Sequence, residues 1–423
     1  MKKIWKTLSA LFLTAAFSFG FSSCAVLDEL LGKDSSQEIS SENETSSENE
    51  TSSENETSSE SETSSENETS SESETSSESE TSSESSDVED IVTDELSIHF
   101  LELGNKYTGD CTLIKVGDTE VLIDAGSRQN SAATIKNYIN QYCQDGVLEY
   151  VIATHADQDH IAGMVGNSTS SGYNGILYSY EVETLIQFPL TGKSVVTDKG
   201  NPTLYGKYLD AVEYAKNEGT SVYTALECYN EENGAKRSYQ LGENVTMNIL
   251  YQRFYEETTS DENDYSVCML LTQGAKNYLF TGDLEHDGEQ SLIENNDLPK
   301  CDLFKGGHHG SPTSNTPELF AVIQPKIVCV CCCCGSDEYT DNVANMFPSQ
   351  ALVDNVAPYT DKVYVTTIVA DNAAGFTSMN GNIVVSSDGE TVSVNCSNNN
   401  TLFKDTEWFK NNRTMPDAWK QTD

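Results

Sequence analysis

The chain has 423 residues and a formal net charge of −44, which is spread unevenly along it. Residues 34–95 carry 22 acidic and no basic side chains, whereas residues 96–423 carry 44 acidic and 20 basic ones, a net −24. The part that can fold is therefore acidic in its own right. This argues against a broad basic face that captures nucleic acid by counterion release, although bound metal ions can still attract a phosphate locally.

Residues 1–23 are predicted to be an export signal. Three lysines lie within the first six residues, and an apolar run extends from Leu8 to Phe21. That run is too short for a confident membrane span, although an uncleaved anchor helix is the alternative.

Phe21-Ser22-Ser23-Cys24 is similar to the bacterial lipoprotein signal, in which the cysteine is acylated, although that motif prefers Leu at the position of Phe21. A lipid on Cys24 would tether the protein to a membrane without a spanning helix. We therefore expect an extracytoplasmic protein, either a cell-surface lipoprotein or, with cleavage nearby, an ordinarily secreted one.

Residues 24–95 are predicted to be a disordered acidic stalk. From Ser35 to Ser86 the chain repeats Ser-Ser-Glu-Asn-Glu-Thr and Ser-Ser-Glu-Ser-Glu-Thr, with no aromatic residue to bury. Such a segment cannot offset its conformational entropy by folding. Its Asn-Glu-Thr triplets also match the N-glycosylation acceptor, which leaves a eukaryotic secreted protein as an alternative.

Strands and helices alternate over residues 96–396, the predicted folded domain, and a polar tail covers 397–423. Two helices are expected early in the domain, over Ala132–Tyr142 and about Tyr205–Asn217, and a third over Glu289–Asn295. Strands interspersed with helices indicate two sheets covered by helices. The predicted strands are Ile98–Leu103, Cys111–Val116, Glu120–Asp124, Tyr150–Thr154, Val245–Tyr251, Tyr265–Thr272, Asn277–Thr281, Cys301–Lys305, Lys362–Ile368 and Gly381–Val385.

Five of the twelve cysteines lie together between Cys329 and Cys334. Neighbouring residues on a strand point to opposite faces and cannot easily form a disulfide bond. The pattern therefore predicts a buried strand, since free cysteine behaves as a small hydrophobe. A thiolate metal cluster is the alternative, but the paired spacing of structural zinc sites is missing.

Candidate metal ligands follow three of the predicted strands. Imidazole and carboxylate groups at such spacing can surround a divalent cation, whereas the alternative is a set of solvated polar loops. Four of the six histidines belong to these groups. The groups are His155, Asp157, Asp159 and His160 on a loop after one strand, Asp283 after the second, and His308 and His309 after the third.

This ordered set resembles the metallo-β-lactamase superfamily, whose signature is His-x-His-x-Asp-His followed by distant Asp and His ligands. More narrowly, it is similar to the extracellular hydrolase domain of ComEC-type DNA-internalisation proteins, in which the second histidine is commonly Asp, as Asp157 is here. The resemblance implies an α/β fold, an αββα sandwich of two mixed sheets flanked by helices. The other matching stretches are Phe100-Leu-Glu-Leu-Gly104, Thr108-Gly-Asp110, Leu122-Ile-Asp124-Ala-Gly126, Asn263-Asp-Tyr-Ser266, Thr281-Gly-Asp-Leu-Glu285 and His308-His-Gly-Ser311.

The same resemblance implies one or two divalent metal ions, Zn²⁺ or Mn²⁺. No further histidine lies between residues 161 and 282, so the set is rich in oxygen, which Mn²⁺ tolerates better than an all-histidine set. Asp110 and Asp124 are expected to orient the ligand side chains without binding the metal themselves. The implied ligands are His155 and Asp157 for one ion, Asp159 and His160 for the other, a bridging Asp283, and either His309 or His308.

Such ions lower the pKa of a bound water and polarise the substrate, and Asp159 is the predicted general base. Ser311, Thr313 and Ser314 are candidate phosphate contacts, and Lys305 is a candidate anion contact; plain structural roles are the alternative for all four.

The leading hypothesis is a metal-dependent hydrolase of phosphodiesters, with extracellular DNA as a candidate substrate. A carbonyl hydrolase of lactones, thioesters or β-lactams uses the same chemistry, and a non-catalytic surface binding module is the third alternative. The sequence does not indicate an oligomeric state.

Overall fold

The computed structural model describes residues 95–370 and 375–420. The predicted export signal, the acylation site Cys24 and the stalk up to residue 94 lie outside the described residues, so these remain predictions. Within the described part, no helix combines the length and the apolar character needed to cross a membrane.

Two mixed sheets of eight strands form the centre of the described domain. The first sheet has the spatial order β18 (Val392–Cys396), β17 (Ile383–Ser387), β1 (Leu96–Phe100), β2 (Thr112–Val116), β3 (Thr119–Ile123), β4 (Val147–Ala153), β7 (Glu181–Gln187) and β8 (Ser221–Thr224). The second has the order β16 (Phe376–Ser378), β15 (Val363–Val369), β14 (Val328–Cys334), β13 (Leu303–Lys305), β12 (Lys276–Phe280), β11 (Met269–Gln273), β10 (Val245–Ile249) and β9 (Ser238–Gln240). A small hairpin joins β5 (Ser168–Thr169) to β6 (Gly172–Tyr173).

The described residues also form eight α-helices, which connect and cover the sheets. They are α1 (Ser131–Ile139), α2 (Gln158–Val165), α3 (Leu204–Glu218), α4 (Ala225–Asn230), α5 (His286–Asn295), α6 (Pro317–Ile323), α7 (Gln350–Val356) and α8 (Glu407–Asn412).

Each sheet contains four consecutive parallel strands. They are β3, β4, β7 and β8 in the first sheet and β12, β13, β14 and β15 in the second. The carboxyl ends of parallel strands share one edge of their sheet, where ligands are bound in open α/β sheets. The predicted metal ligands follow β4, β12 and β13, so the topology places all of them at such edges.

Strand β14 shows how the layers pack. All seven of its residues are buried, and residues 328–332 alternate between two hydrophobic clusters as the pleat requires. Cys329 and Cys331 join the core that both sheets share. Cys332 and Cys334 join the cluster between the second sheet and its helices. The two clusters confirm the αββα sandwich, and β14 confirms the predicted buried strand, whose cysteines are free thiols.

The polar tail packs on the domain through its aromatic residues. Phe403, Phe409 and Trp419 are buried in the cluster outside the second sheet. The indole nitrogen of Trp419 donates to the carbonyl of Thr360 at 2.9 Å. Trp408 is only partly buried against the same cluster.

Buried Glu289 on α5 supports the loop that carries His308 and His309. Its carboxylate accepts the backbone N–H of Asn315 at 2.6 Å and that of Thr316 at 2.8 Å. The Asn315 amide in turn bonds both backbone groups of Gly307, at 2.9 and 2.8 Å. Helix α5 therefore fixes the conformation of the turn that follows β13.

Burial raises the pKa of Glu289 from 4.5 to about 7, although its hydrogen bonds oppose this shift. Between these pH values the folded protein keeps a proton that the unfolded chain has lost, so the free energy of unfolding falls as the pH rises. We predict that this fall is smaller in Glu289→Gln, which cannot ionise. Urea denaturation at about pH 5 and about pH 8 measures it, and identical pH dependence in both proteins would contradict the prediction.

Candidate metal centre

The first turn of α2 brings Asp159 and His160 to the site. The sequence suggested a loop for these residues, but the helix begins at residue 158. The backbone N–H of Ala125 donates to the carbonyl of His160 at 2.7 Å, which ties the helix to the end of β3. Gly126 lies so close that a Cβ there would meet the Asp159 carbonyl oxygen at 1.5 Å. A glycine is therefore required at residue 126 for this packing.

Two imidazole nitrogens converge on one carboxylate oxygen at the centre of the site. Nε2 of His160 lies 3.0 Å from Oδ2 of Asp283, and Nε2 of His309 lies 3.1 Å from the same oxygen. All three residues are buried. With Asp110 they form a group whose potential ligand atoms all lie within 4.8 Å of one another. The group therefore has the donor types and the spacing for a divalent cation.

The opposite nitrogens of both imidazoles contact oxygens that can accept their protons. Nδ1 of His160 lies 2.8 Å from Oδ2 of Asp124, and Nδ1 of His309 lies 2.9 Å from the Cys331 carbonyl oxygen. When Nδ1 donates, Nε2 presents its lone pair to the centre, which is how metal-binding histidines are commonly oriented. Asp124 therefore supports the site as the sequence predicted.

His155 and Asp157 lie at one side of this group. The His155 ring is fully buried, and its centroid is 4.1 Å from that of His160. Its Nε2 lies 3.7 Å from Oδ2 of Asp157. Asp157 also forms an ion pair with Lys193. These two residues therefore lie beside the central group.

Asp159 lies between the central group and solvent. Its Oδ2 is 3.4 Å from Nε2 of His309 and accepts a hydrogen bond from the Tyr339 hydroxyl at 2.7 Å. Burial alone would raise the pKa of Asp159, but the nearby imidazoles of His309 and His160 hold it below its ordinary value. Asp159 is therefore ionised at neutral pH and can accept a proton or bind a cation.

The buried polar atoms of the site fit a bound cation. Nε2 of His155 and Nε2 of His309 are buried and have no hydrogen-bond partner among the described residues. An unpaired buried polar group costs about 1–3 kcal/mol. The nearby carboxylates of Asp110, Asp159 and Asp283 add negative charge that a divalent cation would offset. Imidazole and carboxylate are ligands that suit both Zn²⁺ and Mn²⁺.

His308 and His309 have different surroundings. Both have left-handed backbones, with φ of 45° and 52°, a conformation that is uncommon outside glycine and often marks a functional site. His309 is buried among the central carboxylates. Nδ1 of His308 instead lies 3.1 Å from Glu285 Oε1 and 3.2 Å from the Thr313 hydroxyl. The geometry thus favours His309 as the ligand.

Lys305, predicted to contact an anion, lies inside the site. Its ammonium forms an ion pair with Asp110, is 3.6 Å from Oδ1 of Asp283 and donates to the Gly282 carbonyl. The residue is only 4% exposed. In this arrangement Lys305 neutralises site carboxylates, and its ammonium does not face the solvent.

The predicted phosphate contacts Ser311, Thr313 and Ser314 have other surroundings. The Thr313 hydroxyl donates to Glu285 at 2.8 Å and lies 2.9 Å from the Ser311 hydroxyl. Ser314 is buried. None of the three is among the described residues that line the cleft over the site.

A cleft of about 620 Å³ opens over the metal centre. Several residues that line the cleft were not identified from the sequence, because they belong to loops without a recognisable motif. Among them, the Gly335–Thr340 loop supplies both Glu338 and Tyr339. The lining residues are Arg128, Asp157, Gln158, Asp159, Asn263, Asp283, His308, Glu338 and Tyr339.

Comparison with known proteins agrees with this fold. Residues 104–219 match the sequence model of the metallo-beta-lactamase superfamily, so the predicted resemblance to that superfamily is confirmed. The matched segment runs from just after β1 to the end of α3 and includes β2, β3, β4 and β7 of the first sheet as well as the candidate ligands from His155 to His160. The described domain therefore has a metallo-β-lactamase fold with a candidate metal site.

The narrower resemblance to ComEC-type proteins is confirmed as well. The chain is 28% identical over 182 residues to ComE operon protein 3 of Bacillus subtilis, a match that covers 42% of this chain and 19% of the relative. It is 27% identical over 224 residues to Recombination protein 2 of Haemophilus influenzae, covering 52% and 23% respectively. The matches thus span about a fifth of the length of these curated relatives.

Among solved structures, the metallo-beta-lactamase fold protein YhfI from Bacillus subtilis is similar, with a TM-score of 0.37 and 11% identity. The match covers 64% of this chain and 96% of that one.

We predict that His309→Ala loses bound metal and that His308→Ala keeps most of it. His309 contacts the central carboxylates, whereas His308 pairs with Glu285 outside them. Elemental analysis of both variants, after equilibration with Zn²⁺ or Mn²⁺ and removal of free ions, measures the difference. Equal metal content in the two variants would contradict the assignment.

Proposed function

We propose that this protein is an exported, metal-dependent phosphodiesterase that acts on DNA strands outside the cell. The observation that carries the proposal is the convergence of His160, His309 and Asp283 beneath an open cleft. The resemblance to ComEC-type proteins favours a phosphodiester over other electrophiles. The export signal, the lipid on Cys24 and the stalk belong to the same proposal, in which the domain is held away from a membrane surface.

The contacts support a set of ligand roles. In this proposal the imidazoles of His160 and His309 together with Asp159 would hold one ion, His155 and Asp157 would hold a second, and Asp283 would be a ligand that both share. A divalent cation there would lower the pKa of a bound water and would act as a Lewis acid toward the phosphoryl oxygen. Either Zn²⁺ or Mn²⁺ suits this donor set.

The chain's own groups orient the reaction. Asp159 lies on the cleft beside the other candidate ligands, so its carboxylate can hold the attacking water and accept its proton. The Tyr339 hydroxyl donates to Asp159 Oδ2 and thereby fixes the carboxylate. Asp124 and the Cys331 carbonyl hold the histidine rings in the orientation that ligation requires.

A carbonyl hydrolase is the second candidate, because the same centre can attack lactones, thioesters or β-lactams. The net negative charge of residues 96–423 favours it, since an acidic surface repels a polyanion. A non-catalytic binding module is the third candidate. A panel of phosphodiester and carbonyl substrates, tested with one metal-loaded sample, separates the three.

We predict that the purified protein hydrolyses bis-p-nitrophenyl phosphate and DNA when Mn²⁺ or Zn²⁺ is supplied. Asp159→Asn should lower kcat by about 100-fold or more, since positioned general bases contribute about 10²–10⁴-fold. Release of p-nitrophenol and of DNA fragments measures turnover.

The matched control is Asp198→Asn, an exposed carboxylate that is not among the residues lining the cleft. It should keep the activity of the unchanged protein. Absence of turnover with either metal, or full activity of Asp159→Asn, would overturn the proposed function.

A further inference from the structure

Arg128 is the only arginine or lysine among the described residues that line the cleft. The residue follows β3 by a short loop, and its side chain is 35% exposed. The same cleft is lined by Asp157, Asp159 and Asp283. Arg128 is thus a cation on the wall of this cleft whose side-chain partners are Glu338 and Tyr107, not the carboxylates of the metal centre.

Two neighbouring side chains restrict the orientation of the Arg128 guanidinium. Nη2 of Arg128 lies 2.6 Å from Oε1 of Glu338, and the guanidinium carbon lies 4.0 Å from the centre of the Tyr107 ring. Glu338 is itself fixed, because its other oxygen accepts the backbone N–H of Thr108 at 3.0 Å. An ion pair together with a cation–π contact restricts the side chain far more than either alone would.

The guanidinium of Arg128 has further N–H groups that can donate to a ligand. It carries several N–H groups in a planar fork that matches phosphate oxygens, and the ion pair with Glu338 uses Nη2. Because Glu338 already balances its charge, recognition would depend on directed hydrogen bonds more than on net attraction. The restricted side chain also loses less entropy when it binds.

The cleft has room for more than the reacting group. Its volume of about 620 Å³ lies within the range of about 300–1,000 Å³ that is typical of pockets for small organic ligands. A reacting phosphate would lie at the carboxylates and imidazoles of the metal centre. The cleft therefore leaves room for a second anionic group of the same substrate at Arg128.

Resting on the proposed phosphodiesterase function, we propose that Arg128 binds the phosphate next to the reacting one. The site then selects nucleic acid strands with consecutive phosphodiesters over isolated phosphodiesters. Glu338 and Tyr107 act as positioning residues, since each contacts Arg128 and orients its fork.

Kinetics on two substrates test this proposal. A trinucleotide has a neighbouring phosphate, and bis-p-nitrophenyl phosphate has none. Arg128→Ala should raise KM for the trinucleotide about tenfold or more, as expected for losing hydrogen bonds to a charged group, with little change in kcat. Both constants for bis-p-nitrophenyl phosphate should stay unchanged. Glu338→Gln should raise KM for the trinucleotide by a smaller factor.

Two controls sharpen the comparison. Arg128→Lys keeps the positive charge but lacks the planar arrangement of N–H donors. Its KM for the trinucleotide should therefore lie between the values of the unchanged protein and of Arg128→Ala. Arg237→Ala removes an exposed arginine that stacks at 4.2 Å on Tyr229 and is not among the cleft-lining residues, and it should change neither substrate. An equal change in KM for both substrates, or no change for either in Arg128→Ala, would overturn the proposal.

A binding measurement separates this inference from the proposed function. Fluorescence anisotropy of a labelled, non-hydrolysable trinucleotide analogue is measured on the metal-loaded protein, with and without Arg128→Ala. We expect about tenfold or greater weakening without Arg128. Equal affinity would overturn the inference even if phosphodiesters are hydrolysed, whereas failure of hydrolysis with a preserved Arg128 effect would overturn only the proposed function.

Discussion

The structure depends on an excess of negative charge buried at one point between the two sheets. Asp110, Asp124 and Asp283 are nearly or fully buried, and Asp159 is close beside them. Carboxylates removed from water are expensive unless positive charge or hydrogen bonds offset the lost hydration. Within the described residues, the buried ammonium of Lys305 offsets part of it, and the nearby imidazoles complete the environment that a divalent cation would stabilise.

That concentration of charge requires a rigid frame, and the fold supplies it through strand ends and short hydrogen-bonded turns. Gly126 allows α2 to pack against the end of β3. Glu289 accepts hydrogen bonds from the backbone of Asn315 and Thr316, in the loop that carries His308 and His309. The left-handed backbones of these histidines store strain that such contacts must offset. Placement of the imidazoles is thus a property of the whole sandwich and not of one loop.

The sequence was sufficient to predict the sandwich and most of its central strands, because alternating apolar residues and glycine turns encode them locally. It also brought together His155, Asp157, Asp159, His160, Asp283 and the His308-His309 pair as candidate ligands. It did not predict α2, α4, α6, α7 or α8, since short helices owe their stability to tertiary packing more than to local propensity. The choice between His308 and His309 likewise depends on long-range contacts with Glu285 and Asp283.

Arg128, Glu338 and Tyr339 could not be found from the sequence, because the chain brings them together from loops about 200 residues apart. Loops carry no periodic sequence pattern, so the role of their side chains can be recognised only once the fold positions them. Lys305, the last residue of β13, was expected to contact an anion. The structure pairs it with Asp110 inside the site.

Anomalous X-ray diffraction from crystals of the protein loaded with Zn²⁺ or Mn²⁺ tests the central claim most directly. The account predicts an anomalous peak within coordination distance of His160 Nε2, His309 Nε2 and a carboxylate oxygen of Asp283, at about 2.0–2.2 Å for Zn²⁺. A map without a peak there, or with peaks only at surface residues such as His286 and Asp287, would contradict it.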